Sequence, residues 1–185
     1  MNVFDIIGPV MIGPSSSHTA GAVRLGRVAW KILGERAVQA EILLSGSFAQ
    51  TYRGHGTDKA LIAGIMGMHS DDERIRRSLT LAGEEGLAYA FTTEDIPGAH
   101  PNTARIHLKG ENGAECEVQG ASIGGGNILV TEINGMEVSF TGQYNTLMVL
   151  HYDKPATIAA VTNFMAYSAT NIGNFRLPRP RKGGE

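Results

Sequence analysis

Two Asn-Gly dipeptides, Asn112-Gly113 and Asn134-Gly135, restrict the second half of this chain more than any other feature. A tight hairpin turn needs left-handed backbone at its centre, and Asn-Gly supplies it at little steric cost. The flanks agree. Residues 104–109 alternate apolar and polar side chains and residues 114–119 return, while 128–133 and 136–140 repeat the pattern around the second turn. Such hairpins build an antiparallel sheet with one buried face.

The first half has a different period. Ala22, Leu25, Ala29, Ile32 and Leu33 recur at helical spacing, with Arg24, Arg27 and Lys31 on another face and Gly34 as a stop. The small residues Ala20, Gly21, Ala22 and Gly26 allow that helix to sit close to a sheet or a partner. Residues 40–45 predict a buried strand, followed by a flexible loop crowded with Gly46, Gly54 and Gly56. Asp58 is placed to cap a short apolar helix over 59–66. Ser70-Asp71-Asp72-Glu73 has capping-box spacing and predicts a helix to about Gly83, and 87–92 predicts another strand. Helices first and hairpins later imply an α+β fold, with helices packed on a largely antiparallel sheet over residues 1–142. A linker at 143–146 leads to a strand over 147–152, an apolar helix over 157–167 and a strand over 171–177, a βαβ unit ending the 147–185 segment.

The chemistry-bearing residues gather where these elements begin and turn. Ile12-Gly13-Pro14-Ser15-Ser16-Ser17-His18-Thr19-Ala20-Gly21 puts a turn, three serine hydroxyls and an imidazole at the mouth of the first helix. Any of residues 15–19 can serve as the N-cap, and the remaining hydroxyls and free amides then suit a carboxylate or a phosphate. His55, between two glycines, carries an imidazole, a side chain suited to proton transfer. His100-Pro101-Asn102-Thr103 offers another imidazole and an amide, or simply a turn. Gly124-Gly125-Gly126 either presents backbone amides to an anion or lets the main chain bend sharply; it lacks the context of a dinucleotide fingerprint.

These stretches, with Gly46-Ser47-Phe48-Ala49-Gln50-Thr51-Tyr52-Arg53-Gly54-His55-Gly56-Thr57-Asp58 and Ile123-Gly124-Gly125-Gly126, resemble the β subunit of iron–sulfur-dependent L-serine dehydratases. The resemblance runs from about Val3 to the C-terminus. It implies that His55 is the base that removes the α-proton of L-serine. It also implies that Ser15, Ser16, Ser17, His18, Thr19, His100, Asn102, Gly124 and Gly125 bind the substrate or wall its site. Elimination would then give aminoacrylate, and finally pyruvate and ammonia. A 4Fe-4S cluster, held by the cysteines of a separate α subunit, is the implied acceptor of the β-hydroxyl. Further self-association through the β domain is also expected. The fold of that domain resembles the allosteric substrate-binding domain of some phosphoglycerate dehydrogenases. The βαβ unit resembles the first half of an ACT domain, a ferredoxin-like module, with Ala156 where such domains usually carry glycine and with the second βαβ half missing.

Composition narrows the partners. With 185 residues, 42% of them hydrophobic, the chain can hold one ordinary domain plus part of another. A formal net charge of −2 gives no electrostatic case for nucleic acid or an anionic membrane. No apolar run is long enough to span a bilayer, and residues 3–12 lack the basic flank of a signal peptide. The single cysteine, Cys116, fits a reducing cytoplasm and reads as strand filler. One thiolate cannot enclose a cluster that several thiolates normally hold, so no metal site is expected in this chain. His69, His107 and His151 show no ligand spacing. The rival to a catalytic subunit is a regulatory amino-acid- or anion-binding module, or a scaffold for oligomerisation. A regulatory pocket needs donors for a carboxylate but no base at His55.

Overall fold

The structure, a computed structural model, describes residues 9–149, 151–152 and 154–177. The chain divides into two compact units, Met1–Tyr144 and Asn145–Glu185. In the first, a π-helical turn, Ser16–Gly21, runs into helix α1, Ala22–Leu33, which ends at Gly34. Strand β1, Ala37–Leu44, is followed by helices α2, Gly46–His55, and α3, Thr57–Ile65. A 3₁₀ turn, Glu73–Arg77, enters α4, Ser78–Glu84. The remaining strands are β2, Ala88–Thr93, β3, Thr103–Gly110, β4, Glu115–Gly124, β5, Asn127–Ile133, and β6, Met136–Phe140.

The six strands form one open sheet in the order β2-β1-β3-β4-β5-β6. β1 and β2 run parallel, with Ile42 opposite Phe91, and every other neighbouring pair is antiparallel. The sheet is therefore mixed. The hairpin turns fall where the Asn-Gly pairs place them, with Asn134 and Gly135 at φ 49° and 76°. Ala40, Ile42, Leu44, Ile106, Leu108, Val118, Ile128 and Val130 point to one face and form the core with α1 and α3. The opposite face carries polar side chains, where Arg105 forks onto Gln119 Oε1 at 2.7 and 3.0 Å.

Helices α1 and α3 cross at two glycines. A β-carbon on Gly26 would collide with the Leu61 carbonyl oxygen, and one on Gly64 with that of Val23. The small-residue face of α1 thus meets α3 as well as the sheet.

Three local expectations are corrected. Residues 46–55 form a helix rather than a flexible loop, because Phe48, Ala49 and Tyr52 share a face that packs on the core. Gly56, at φ 73°, takes the left-handed position that stops α2, its amide closing on the Tyr52 carbonyl. Asp58 is not the cap of α3. It lies in the first turn, mostly buried, with Oδ1 accepting from the Lys59 amide at 2.8 Å. The cap of the segment after Ser70 is Asp72, whose carboxylate accepts from the Arg74 amide at 2.9 Å, so Ser70 does not open a helix.

In the second unit helix α5, Thr157–Tyr167, forms as expected. Residues 147–149, 151–152 and 171–177 are not in strands. Two strands with one helix make too small a sheet to be stable alone. Leu150, Asp153 and residues 178–185, to which the βαβ reading also extended, lie outside the described residues. Ala156 takes φ 69°, the left-handed conformation for which glycine is the usual residue.

Candidate active site

The Ser-rich motif folds into the π-helical turn, a wide turn that occurs mostly as a single-turn insertion and often at functional sites. Ser15 is the N-cap: its Oγ accepts from the His18 amide at 3.2 Å, and its carbonyl accepts from the Thr19 amide at 2.8 Å. His18, Thr19, Ala20 and Gly21 are buried, while Ser15, Ser16 and Ser17 are half-buried. The Ser15 hydroxyl also meets His18 Nδ1 at 3.3 Å. Ser16 and Ser17 have no side-chain hydrogen bond among the described residues. Thr19 packs beneath Gly13.

The imidazole of His18 reaches across to α2. Its Nε2 lies 3.1 Å from Thr51 Oγ1, and its ring packs against Phe48 with centroids 5.2 Å apart. The same ring meets His55 at 4.8 Å, tilted by 59°. Burial, and then the His55 charge, hold His18 below the ordinary histidine value. His55 is the last residue of α2 and exposed, so it combines a helix-fixed backbone with an open imidazole. Ser47, Thr51 and His55 follow at intervals of four along α2, which sets them on one face.

The other expected residues flank this cluster. The His100–Asn102 loop lies against the start of α2, where the Phe48 amide donates to the Pro101 carbonyl at 3.3 Å. Within the loop the Asn102 amide donates to His100 Nδ1 at 3.1 Å. Asn102 Nδ2 donates to the Ser122 carbonyl at 3.4 Å, and Ser122 sits directly beneath Gly21 of the π-helical turn. Asn102 Oδ1 and Ser122 Oγ are buried without a partner among the described residues. Gly124 ends β4 opposite Asn127, and Gly125 and Gly126 form the β4–β5 turn, the three at φ 99°, 60° and 77°; Gly126 packs near Ala20. Four motifs spread over more than a hundred residues thus converge around one π-helical turn.

Sequence reasoning missed Thr51, Ser122 and the π-helical turn. The spacing of four between Thr51 and His55 would have exposed the first, had 46–55 been read as a helix. The contact between Ser122 and Gly21 is tertiary and leaves no local signal.

A cavity of about 250 Å³ opens beside α2, lined by Tyr52, Arg53, Asp58, Leu79, Tyr89 and Phe91. Burial pushes the Asp58 carboxyl up. A larger cavity of about 550 Å³ lies at the C-terminal end of α1 and contains none of the motif residues. No group of three or more His, Cys, Asp or Glu side chains among the described residues could hold a metal ion. Cys116 is buried, its Sγ directed at the Ala29 carbonyl at 3.6 Å and its thiol pushed up to about 11 by burial. These residues do not fit an iron–sulfur cluster.

Residues 2–133 match the family described as Serine dehydratase beta chain. A Bacillus subtilis (strain 168) protein named "Probable L-serine dehydratase, beta chain" is 48% identical over 96% of this chain and 80% of its own. The "L-serine dehydratase, beta chain" of Peptoniphilus asaccharolyticus is 43% identical over 92% of this chain and 78% of its own. "L-serine dehydratase 1" of Escherichia coli (strain K12) is 27% identical over 93% of this chain, which corresponds to 42% of that protein.

Proposed function

The chain belongs to the serine dehydratase beta chain family, and from that premise we propose that it is the β subunit of an L-serine dehydratase, a lyase that deaminates L-serine to pyruvate and ammonia with an α partner. The observation that carries the site reading is the 4.8 Å contact between His18 and His55, which joins two motifs far apart in sequence into one constellation. His55 is the base. Its imidazole is exposed on the end of a helix, where it can reach the α-proton of a bound amino acid. His18 is buried and engaged at both ring nitrogens, so it supports rather than transfers protons.

Ser16 and Ser17 offer hydroxyls to the substrate carboxylate at the start of the π-helical turn, and Ser15, His18 and Thr19 shape the wall behind them. Asn102, whose Oδ1 has no partner among the described residues, completes the enclosure with His100, Gly124 and Gly125. After α-proton removal the β-hydroxyl departs, and the resulting aminoacrylate tautomerises and hydrolyses. A cysteine-rich α subunit is the proposed holder of a 4Fe-4S cluster, because the residues here do not fit one. The names support two parts: the matched stretch makes up 80% of a protein called a beta chain and 42% of one called L-serine dehydratase 1, with no chain in its name.

The serine dehydratase β domain spans 1–142, followed by the 143–146 linker. Residues 147–185 belong to an ACT-like module whose apolar side chains need a further surface to cover them. The exposed Leu147, Val149, Phe164 and Phe175 support that reading. No described helix is long and apolar enough to cross a membrane, and the reading places the enzyme in the cytoplasm.

The test is anaerobic co-expression with a cysteine-rich α partner, followed by assay of pyruvate from serine. His55→Asn should leave assembly intact and lower kcat by about a hundredfold or more, the scale of a positioned base. Near-native kcat in that variant would move the base elsewhere.

A further inference from the structure

The hydrogen bonds around His18 fix more than its position. Thr51 Oγ1 lies 2.7 Å from the Ser47 carbonyl oxygen. A carbonyl only accepts, and two oxygens that close with no proton between them repel, so the Thr51 hydroxyl proton lies on that bond. Thr51 Oγ1 is then an acceptor toward His18 Nε2 at 3.1 Å, and Nε2 carries a proton. At the other nitrogen, Ser15 Oγ already accepts from the His18 amide, and its own proton is free to go to Nδ1 at 3.3 Å. The protonation pattern of a histidine follows from the bonds its two nitrogens make. Here both sets agree on one neutral form in one ring orientation, since a flipped ring would put carbons at both contacts. Phe48 and His55 pack against that ring.

We propose that Thr51 is a positioning residue: committed to the Ser47 carbonyl, its hydroxyl locks His18 as the neutral Nε2–H tautomer, and the locked ring holds the His55 imidazole in its working orientation. The catalytic consequence rests on the reading of His55 as the base; the lock does not. The relay Ser47–Thr51–His18–Ser15 ties α2 to the π-helical turn, so the serine-rich motif and the base are set relative to each other by one threonine hydroxyl. Thr51 itself needs no contact with substrate.

The test uses the full chain labelled with ¹⁵N at histidine, its imidazole resonances observed at pH 8, together with turnover in the assembled enzyme. In the native protein His18 should show a protonated Nε2 and an unprotonated Nδ1. Thr51→Val removes the acceptor at nearly constant shape, and the unprotonated resonance should move to Nε2 as the proton shifts to Nδ1 and is donated to Ser15. Thr51→Ser restores the hydroxyl and should restore the native pattern. Ser15→Ala, a second variant that leaves Thr51 in place, should keep Nε2 protonated. With the α partner, Thr51→Val should lose about tenfold or more in kcat with little change in KM, and Thr51→Ser should recover most of it. A native His18 protonated at Nδ1 instead, or a tautomer unmoved in Thr51→Val, would overturn the lock. A tautomer that moves while kcat stays native would overturn its role in positioning His55. Failure of the base assignment has a separate signature: His55→Asn turning over normally while the His18 pattern responds to Thr51 as described.

Discussion

At the scale of single residues, His18 makes stability depend on pH in a definite direction. Burial holds its folded value below the 6.5 of a free histidine, with the His55 charge adding to the effect. Below about 6.5 the unfolded chain takes up a proton that the folded chain refuses, so stability is full above that value and falls as pH drops toward the folded value. Urea unfolding between pH 7.5 and 5 should therefore show a falling unfolding free energy, and His18→Gln should flatten that slope even if it lowers stability overall. An identical slope in the variant would mean that the imidazole accepts its proton as readily inside the fold as outside it. The identity of the buried histidine was legible only in part. Ser15 to Thr19 declared a helix start through their hydroxyls, yet which of them caps depends on the wide turn that follows. Local preferences do not encode a π-helical turn, and the contact of its Gly21 with Ser122 is made across the layers.

At the scale of elements, the tightest constraint is the α1–α3 crossing. Gly64 brings its α-carbon against the backbone of Val23 and Gly26, and a β-carbon there would meet carbonyl oxygen rather than a movable side chain. Gly64→Ala gains helix propensity of somewhat under about 1 kcal/mol, but the helices must separate to accept it. Overpacking of that kind costs about 1–3 kcal/mol. Thermal unfolding should show a net loss, and a variant at least as stable as the native chain would mean that the crossing has slack. Exposed Gly83, with open space around it, supplies the control: Gly83→Ala should not destabilise in the same way. The same comparison explains which elements could be read in advance. The hairpins came through because Asn-Gly turn chemistry is local, and α1 because its apolar spacing is uninterrupted. Helix α2 was obscured because Gly46, Gly54 and Gly56 crowd its ends, where they act as entry and stop rather than as loop. The parallel pairing of β2 with β1 is non-local and has no signature in either strand. For the site, the motifs supplied the residue types, whereas Thr51 became visible only once α2 was a helix.

At the scale of the molecule, the two units differ in how they are stabilised. The first places Leu25, Ile42, Leu61, Ile106, Ile128 and their neighbours in a continuous core between sheet and helices. In the second, none of the residues of α5 is buried, and Phe164 is 67% exposed. An eleven-residue helix without tertiary burial is marginal in water, because nucleation is costly and few hydrogen bonds follow. The left-handed conformation of Ala156 at its start adds a further unfavourable contribution of about 1–2 kcal/mol. Hydrogen exchange on the dilute chain should thus find the amides of residues 157–167 opening far below the global unfolding free energy, while those of α1 and α3 exchange only through it. Self-association that covers α5 would appear as protection of 157–167 that rises with protein concentration while α1 stays unchanged. Protection of α5 equal to that of α1 in the dilute chain would show that the second unit is stable without a covering surface, and the reading that it needs one would fall.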